Sequence, residues 1–343
     1  FDNNSATGYY NVVQQDYQED SSKSNRFILH EQNLAAYISS QKDFNKQWSV
    51  KAGLRYEYSI IDGHSPDSTT HNRFQYGKWF PTLYITYKPG RDHTFSFNYS
   101  KRINRPNFRQ LSPFRWYTNP YSYYTGNPLL QPSYNHNIEL AYLYKSIFSL
   151  TLYGQELVNG YGGIVEVNGD RKVVIYENYL NRFNTGVEAT FGLKIFAWWE
   201  HRDVMSFNYS HSRSSVPEVV PVQGFGGYYS TYNTFTVTRA ISLLLNFSHY
   251  LPSNSGNVHN KADYSLSTGA RLGLGKVQVN ITLSDILRTA QDRGVIYYQG
   301  YVQNFNEYYD VRRIVLALTY TFGKTKVKGS SKQVNFKETQ RAN

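Results

Sequence analysis

The sequence predicts an all-β fold, an antiparallel transmembrane β-barrel of about fourteen strands, from three observations. The first is the stretch Ile314 to Phe322. Ile314, Leu316, Leu318, Tyr320 and Phe322 fall on one side of it, and Val315, Ala317, Thr319 and Thr321 on the other. A period of two means an extended strand with unlike faces. One face is wholly apolar and ends in two aromatics, while the other is small or hydroxylated with Arg313 just before it. Such a strand suits hydrocarbon outside and water inside, with aromatics at the boundary. The second observation is the 17% aromatic content, with 33 Tyr and 20 Phe. That is more Tyr than a soluble core uses, and Tyr is a residue of membrane interfaces. The third is the order of connections, which alternate short and long from the second strand onward. Membrane barrels keep tight turns at one end and long loops at the other; a soluble sandwich has no reason to.

Composition narrows the remaining classes. A mean hydropathy of -0.58 and the lack of a long apolar run exclude helical spans, but not a barrel whose alternate residues face water. The absence of Cys excludes a disulfide framework and thiolate chemistry. The formal charge of +11 raises the question of nucleic acid, yet Lys and Arg are scattered and no nucleic-acid partner is expected. The one dense basic run is the tail at 323–343, with Lys324, Lys326, Lys328 and Lys332. The chain divides into a barrel at 1–322 and this tail.

In chain order, the first strand is expected near Tyr9–Gln18 and the second from Arg26 to Ser40. In the third, Val50, Ala52, Leu54, Tyr56, Tyr58 and Ile60 oppose Lys51, Gly53, Arg55, Glu57 and Ser59. A long polar loop is expected from Asp62 to Gly77. Strand four carries Trp79, Pro81, Leu83, Ile85 and Tyr87, and Lys88-Pro89-Gly90-Arg91 makes a tight turn. Strand five sets Phe95, Phe97 and Tyr99 against Ser96, Asn98 and Ser100, and a long connection runs from Arg102 to Asn135. Strands six (Ile138 to Tyr144) and seven (Phe148 to Leu152) precede a Gly- and Asn-rich loop at 157–180. Strands eight (Val187 to Ile195) and nine (Met205 to Tyr209) follow. Ten (Tyr228 to Thr238) and eleven (Leu243 to Phe247) lead to a loop at 251–262. Twelve (Tyr264 to Leu272) and thirteen (Val277 to Ser284) lead to a loop at 285–310 and the closing strand.

Within the longest connection stand two blocks, SKRINRPNFRQLSPF from Ser100 to Phe114 and NPYSYYTGNPLLQPSYNHNIELAY from Asn119 to Tyr142. They are similar to segments of the TonB-dependent receptor barrels typical of Bacteroidetes, the outer-membrane β-barrel family with an RxxRP…LxPF…GNPxLxP arrangement. Arg102, Arg105 and Pro106, then Leu111, Pro113 and Phe114, then Gly126, Asn127, Pro128, Leu130 and Pro132 occupy those places. The approach from Ala35 to Ser59 and the close ALTYTFGK resemble the family too. The resemblance implies a Gram-negative outer membrane, a barrel of roughly 22 strands behind a plug domain, and uptake of a scarce nutrient driven by TonB through that plug. With about fourteen strands and no plug before them, the sequence resembles the C-terminal two-thirds of such a barrel. The tail is then periplasmic. Partners implied are outer-membrane lipid and TonB, with a surface lipoprotein or a larger outer-membrane complex as candidates. A scaffold barrel without transport and a self-contained fourteen-strand pore stay open as rivals.

Arg102, Arg105, Arg109 and Arg115, with Trp116 and Tyr117, are the candidate ligand-binding residues, by bidentate and cation–π contacts to an anionic or ring-bearing ligand. The competing reading folds this loop against the barrel rim, its Arg satisfying backbone carbonyls. Arg55, Glu57, Glu139, Glu188, Lys194, Arg271 and Arg313 are expected to line the lumen. Asp62, His64, Asp67 and His71 have metal-ligand types without a compact spacing and read as a solvated loop, as do His249 and His259. Ser210 and His211 near Asp203 point to opposite faces of a strand and cannot share a proton. No enzyme activity and no cofactor are expected.

Overall fold

The structure is a computed structural model that describes residues 2–13, 16–20, 24–66 and 71–322. The basic tail at 323–343 and Asp67 lie outside the described residues. The strands are β1 (Asp2–Thr7), β2 (Tyr10–Val13), β3 (Asp16–Glu19), β4 (Asn25–Asp43), β5 (Trp48–His64), β6 (His71–Tyr87) and β7 (His93–Asn104). One helical turn, α1 (Phe108–Leu111), precedes β8 (Arg115–Asn119) and β9 (Ser122–Thr125). Then come β10 (Ser133–Tyr144), β11 (Phe148–Asn168), β12 (Arg171–Phe196), β13 (Trp199–Ser214), β14 (Gln223–Thr236) and β15 (Ile241–Tyr250). The chain ends through β16 (Ser253–Ser255), β17 (Val258–Asn260), β18 (Asp263–Leu274), β19 (Val277–Ser284), β20 (Asp292–Tyr298), β21 (Tyr301–Glu307) and β22 (Arg313–Tyr320).

Fourteen of these form one antiparallel path, β1-β4-β5-β6-β7-β10-β11-β12-β13-β14-β15-β18-β19-β22, with β8 and β9 attached beside it. The strand number read from the sequence therefore holds, although its first member differs. The segment expected as that strand, Tyr9–Gln18, falls on the separate β2–β3 pair, which ends at Glu19, and β1 lies upstream of it. The sequence DNNSAT has no apolar alternation, so only its ladder to β4 (Asp2↔His30 through Thr7↔Asn25) identifies it.

The register separates two faces. Along β5, Glu57, Ser59, Ile61 and Gly63 are buried and alternate with less covered Tyr58, Ile60 and Asp62. The buried set defines the inner face. Following the ladders from Arg55↔Phe80 to Ala317 across the sheet, Arg55, Glu57, Glu139, Glu188, Lys194, Arg271 and Arg313 all fall on that inner face. The outer face carries Leu140, Leu152, Phe207, Leu243 and Leu245, all exposed. Ile314, Leu316, Leu318 and Tyr320 also belong to it, and Phe322, just beyond β22, is 82% exposed. At the short-turn ends the outer face carries a belt of rings. Trp48 stacks on Tyr87 at 4.3 Å, and Phe95 meets Tyr142 at 4.9 Å. Such belts mark the membrane–water boundary.

Short connections at 44–47, 88–92, 145–147, 197–198, 237–240 and 275–276 all lie at this end. The opposite connections are more ordered than expected. Most of the expected 62–77 loop is the paired ends of β5 and β6, and 157–180 is the continuous β11–β12 hairpin. The 251–262 and 285–310 loops contain β16, β17, β20 and β21, which form a separate four-stranded sheet. Beyond the bilayer neither face of a strand meets lipid. Period-two patterning is lost there while the hydrogen-bonded ladder continues.

Among the described residues β1 pairs only with β4 and β22 only with β19, so both are edges. An outer-face charge in β22 tests which face meets lipid. Leu316→Arg is expected to cost roughly 2–4 kcal/mol near the bilayer midplane, and Ala317→Arg, on the inner face, far less. Denaturant titration of the barrel refolded in lipid vesicles, read by Trp fluorescence, measures both.

Candidate functional site

The ladder between β6 and β7 runs from Tyr87↔Phe95 only to Thr82↔Ser100. Beyond it stands Pro81, which has no N–H to donate. β7 continues beside β10 to Asn104, and the chain then turns inward. Arg105 lands on the inner face of β4 and β5 with its side chain 6% exposed. Its guanidinium donates to the Glu57 carboxylate and, at 3.3 Å, to Ser59 Oγ. Glu57 also accepts from Arg55 Nε at 2.6 Å, and Glu31 Oε1 lies 3.9 Å from Arg105 Nε. Burial alone would pull the Arg105 pKa down, but the hydrogen bond to Glu57 and the interactions with Tyr76 and the Glu57 charge together more than offset it and leave it raised. Arg105 is therefore a permanent cation bracketed by carboxylates.

After Arg105 the loop builds a small core inside the barrel wall. Asn107 caps α1 in a reciprocal pair with Gln110. Phe27, Leu29, Ile61, Leu111, Phe114 and Leu130 are buried together, with Phe108, Trp116, Tyr76, Tyr161 and Tyr176 packed around them. Gly126 lies against the carbonyls of Arg109, Gln110 and Ser112, where a Cβ has no room. Its N–H donates to Ser112 O at 3.0 Å, and Asn127 N to Gln110 O at 2.7 Å. Asn127 Nδ2 donates to Tyr176 O at 3.0 Å. Asn178 accepts from Gln131 N at 2.8 Å and donates to Gln131 O at 2.9 Å. β9 runs parallel to β12 from Ser122↔Lys172 to Thr125↔Ile175. One loop thus touches β4 and β5 on one side and β12 on the other, so the sheet curls around it.

The six expected ligand-binding residues separate. Arg105 is committed to Glu57. Arg109 sits over the Trp116 ring at 5.2 Å, holding both against the loop core. Arg102 lies lower on the inner wall, in a cavity shared with Tyr37, Arg55 and Phe80. Arg115 and Tyr117 line an open groove of about 450 Å³ with Tyr9, Asn119, Tyr123 and Arg171. Tyr9 donates to Arg115 O at 2.7 Å, and the Arg115 guanidinium lies 5.5 Å above the Tyr123 ring. Tyr117 meets Tyr9 edge-on at 5.4 Å and Tyr123 at 5.2 Å. Among the described residues neither Arg115 nor Arg171 has an ion-pair partner. The groove therefore offers two guanidiniums and three phenol rings to solvent. Tyr9 and Arg171 were missed from sequence because each is remote from the loop; Arg171 opens β12 just after the Asn168-Gly169-Asp170 tip.

The opposed placing of Ser210 and His211 is as expected. Ser210 is buried on the inner face, and the His211 ring bonds the Gln223 side chain on the outer face.

A family model described as "Outer membrane protein beta-barrel family" matches residues 1–320. Similar solved structures include the copper transporter OprC, with TM-score 0.60 and 10% identity over 81% of this chain and 46% of that one. The siderophore receptor PiuA from Acinetobacter baumannii has TM-score 0.58 and 12% identity over 89% and 44%. The FrpB iron transporter from Neisseria meningitidis (F3-3 variant) has TM-score 0.56 and 12% identity over 87% and 46%. The chain spans under half the length of each. No curated protein matches it.

Two substitutions test the loop's seating. Arg105→Met leaves Glu57 without its buried partner and is expected to cost about 3–5 kcal/mol, most of it recovered in Arg105→Met/Glu57→Met. Gly126→Ala is expected to cost about 1–3 kcal/mol by overpacking. Equilibrium unfolding of the barrel in detergent measures both.

Proposed function

This chain belongs to the outer membrane protein beta-barrel family, and from that premise we propose that it forms the wall of a TonB-dependent receptor of the Bacteroidetes type that takes up a scarce nutrient. The observation that carries the proposal is the folding of the 105–132 connection, with β9 against β12, over the inner face. It leaves an open cationic and aromatic groove among Arg115, Tyr117, Tyr123 and Arg171. Ligand enters from outside at this groove and is held by charge and ring contacts. Arg102 and the inner-face set Arg55, Glu57, Glu139, Glu188, Lys194, Arg271 and Arg313 form the polar wall below it. TonB acts through a plug domain, as the resemblance implies. The basic tail stands in the periplasm, and a surface lipoprotein or a larger outer-membrane complex is a candidate partner. The chain does no covalent chemistry in this reading.

A scaffold barrel is the second reading, favoured by the commitment of Arg105 to Glu57 and of Arg109 to Trp116. Growth of cells whose full-length receptor carries Arg115→Ala/Arg171→Ala separates the two. The media are limited in turn for iron chelate, glycan, peptide or cobalamin. Receptor function predicts a growth defect on one source with normal surface levels of protein. A scaffold predicts none on any source. Channel recordings add the third case, because a passive pore conducts in planar bilayers and a plugged receptor stays closed.

A further inference from the structure

Histidines that local spacing leaves apart are brought together on the outer face by the register. His30 pairs across to Asp62, and His64 to His71. Asp2 pairs across to His30 on the other side. These residues stand beyond the row of Gln32, Ile60 and Gln75, above the rings of Tyr56 and Trp79, where water replaces hydrocarbon. His71 Nε2 lies 3.1 Å from Asp62 Oδ1, and His64 Nδ1 lies 3.9 Å from the same oxygen. The His30 and His64 rings are 6.4 Å apart, and those of His64 and His71 6.0 Å apart.

We propose that Asp62, His64 and His71, with His30 as fourth ligand, form a binding site for a divalent late first-row transition-metal ion. Imidazole with one carboxylate is the donor set such ions take. Ligand atoms around a tetrahedral ion of this size stand about 3.3 Å apart. The Asp62–His71 pair already has nearly that spacing, and His64 is slightly beyond it. Among the described residues no three of these donors meet at one point as closely as an ion requires. Side-chain rotation of His64 and His71 closes the gap, because their imidazoles are 37% and 62% exposed. Asp2 Oδ1 holds His30 Nδ1 at 2.5 Å, which fixes the ring and leaves Nε2 as the ligand atom. A bound ion would clip β4, β5 and β6 together at their long-connection ends, on the face away from the groove. Arg73, the cross-strand neighbour of Asp62, is the one opposing charge in the row.

The test is calorimetric titration of Zn²⁺ into the full chain in detergent micelles, with Cu²⁺ electron paramagnetic resonance to count coordinating nitrogens. The expected result is one saturable site showing at least two nitrogens. His64→Ala and His71→Ala weaken it about tenfold or more, Arg73→Ala tightens it, and His249→Ala leaves it unchanged. Heat-modifiable mobility on gels verifies that every variant is folded. A wild-type titration without saturable binding overturns the proposal, as does equal affinity in His64→Ala, His71→Ala and wild type.

Discussion

Hydrocarbon offers no partner to a backbone N–H or C=O, so strands within it must pair with strands and turn apolar side chains outward. The remaining features of this chain follow from that constraint. It forces the alternation of Leu266, Thr268, Ala270 and Leu272 with Ser265, Ser267, Gly269 and Arg271 along β18. It also forces tight turns at one end, since a strand leaving the sheet within the bilayer would abandon its hydrogen bonds. On the outer face the rings of Trp48, Tyr87, Phe95 and Tyr142 sit where hydrocarbon gives way to water.

The same constraint explains why the site is built on the inner face. A wall that must be apolar outside can spend its polar residues only inside, and there the loop after β7 is moored. Arg105 supplies the mooring charge, and Arg55, two residues before Glu57 on the same strand, shares that carboxylate with it. A buried ion pair of this kind adds little net stability against an apolar substitute, yet breaking one side of it is costly. Its effect is to fix where the loop sits. That position puts Arg115 and Tyr117 beside Arg171, residues from two distant parts of the chain, and so makes the groove.

The strands crossing the bilayer were legible because lipid and water impose opposite chemistry on successive residues. Beyond it the pattern failed. The outer stretch of β11, from Glu156 to Asn168, meets no lipid and reads as loop, and β1 gives no signal at all. The RxxRP and GNPxLxP segments were visible as blocks, but the reason for Gly126 was not. It lies in three carbonyls more than a dozen residues away in the chain. The ligand-residue reading grouped four Arg by proximity in sequence, whereas the fold gives each its own surroundings: Arg105 against Glu57, Arg109 over Trp116, Arg102 on the inner wall and Arg115 in the groove. His30 escaped notice for a related reason: its neighbours Asp62 and His64 come from the next strand, and only register joins them.

The division of faces can be measured directly because the chain contains no Cys. Single Cys residues placed in turn from Val277 to Ser284 on β19 and spin-labelled in lipid vesicles report access to oxygen or to an aqueous nickel reagent. The account predicts a period of two, with positions 277, 279, 281 and 283 open to oxygen and the intervening positions open to nickel. Uniform access along the strand, or apolar positions shielded from both reagents, would contradict it.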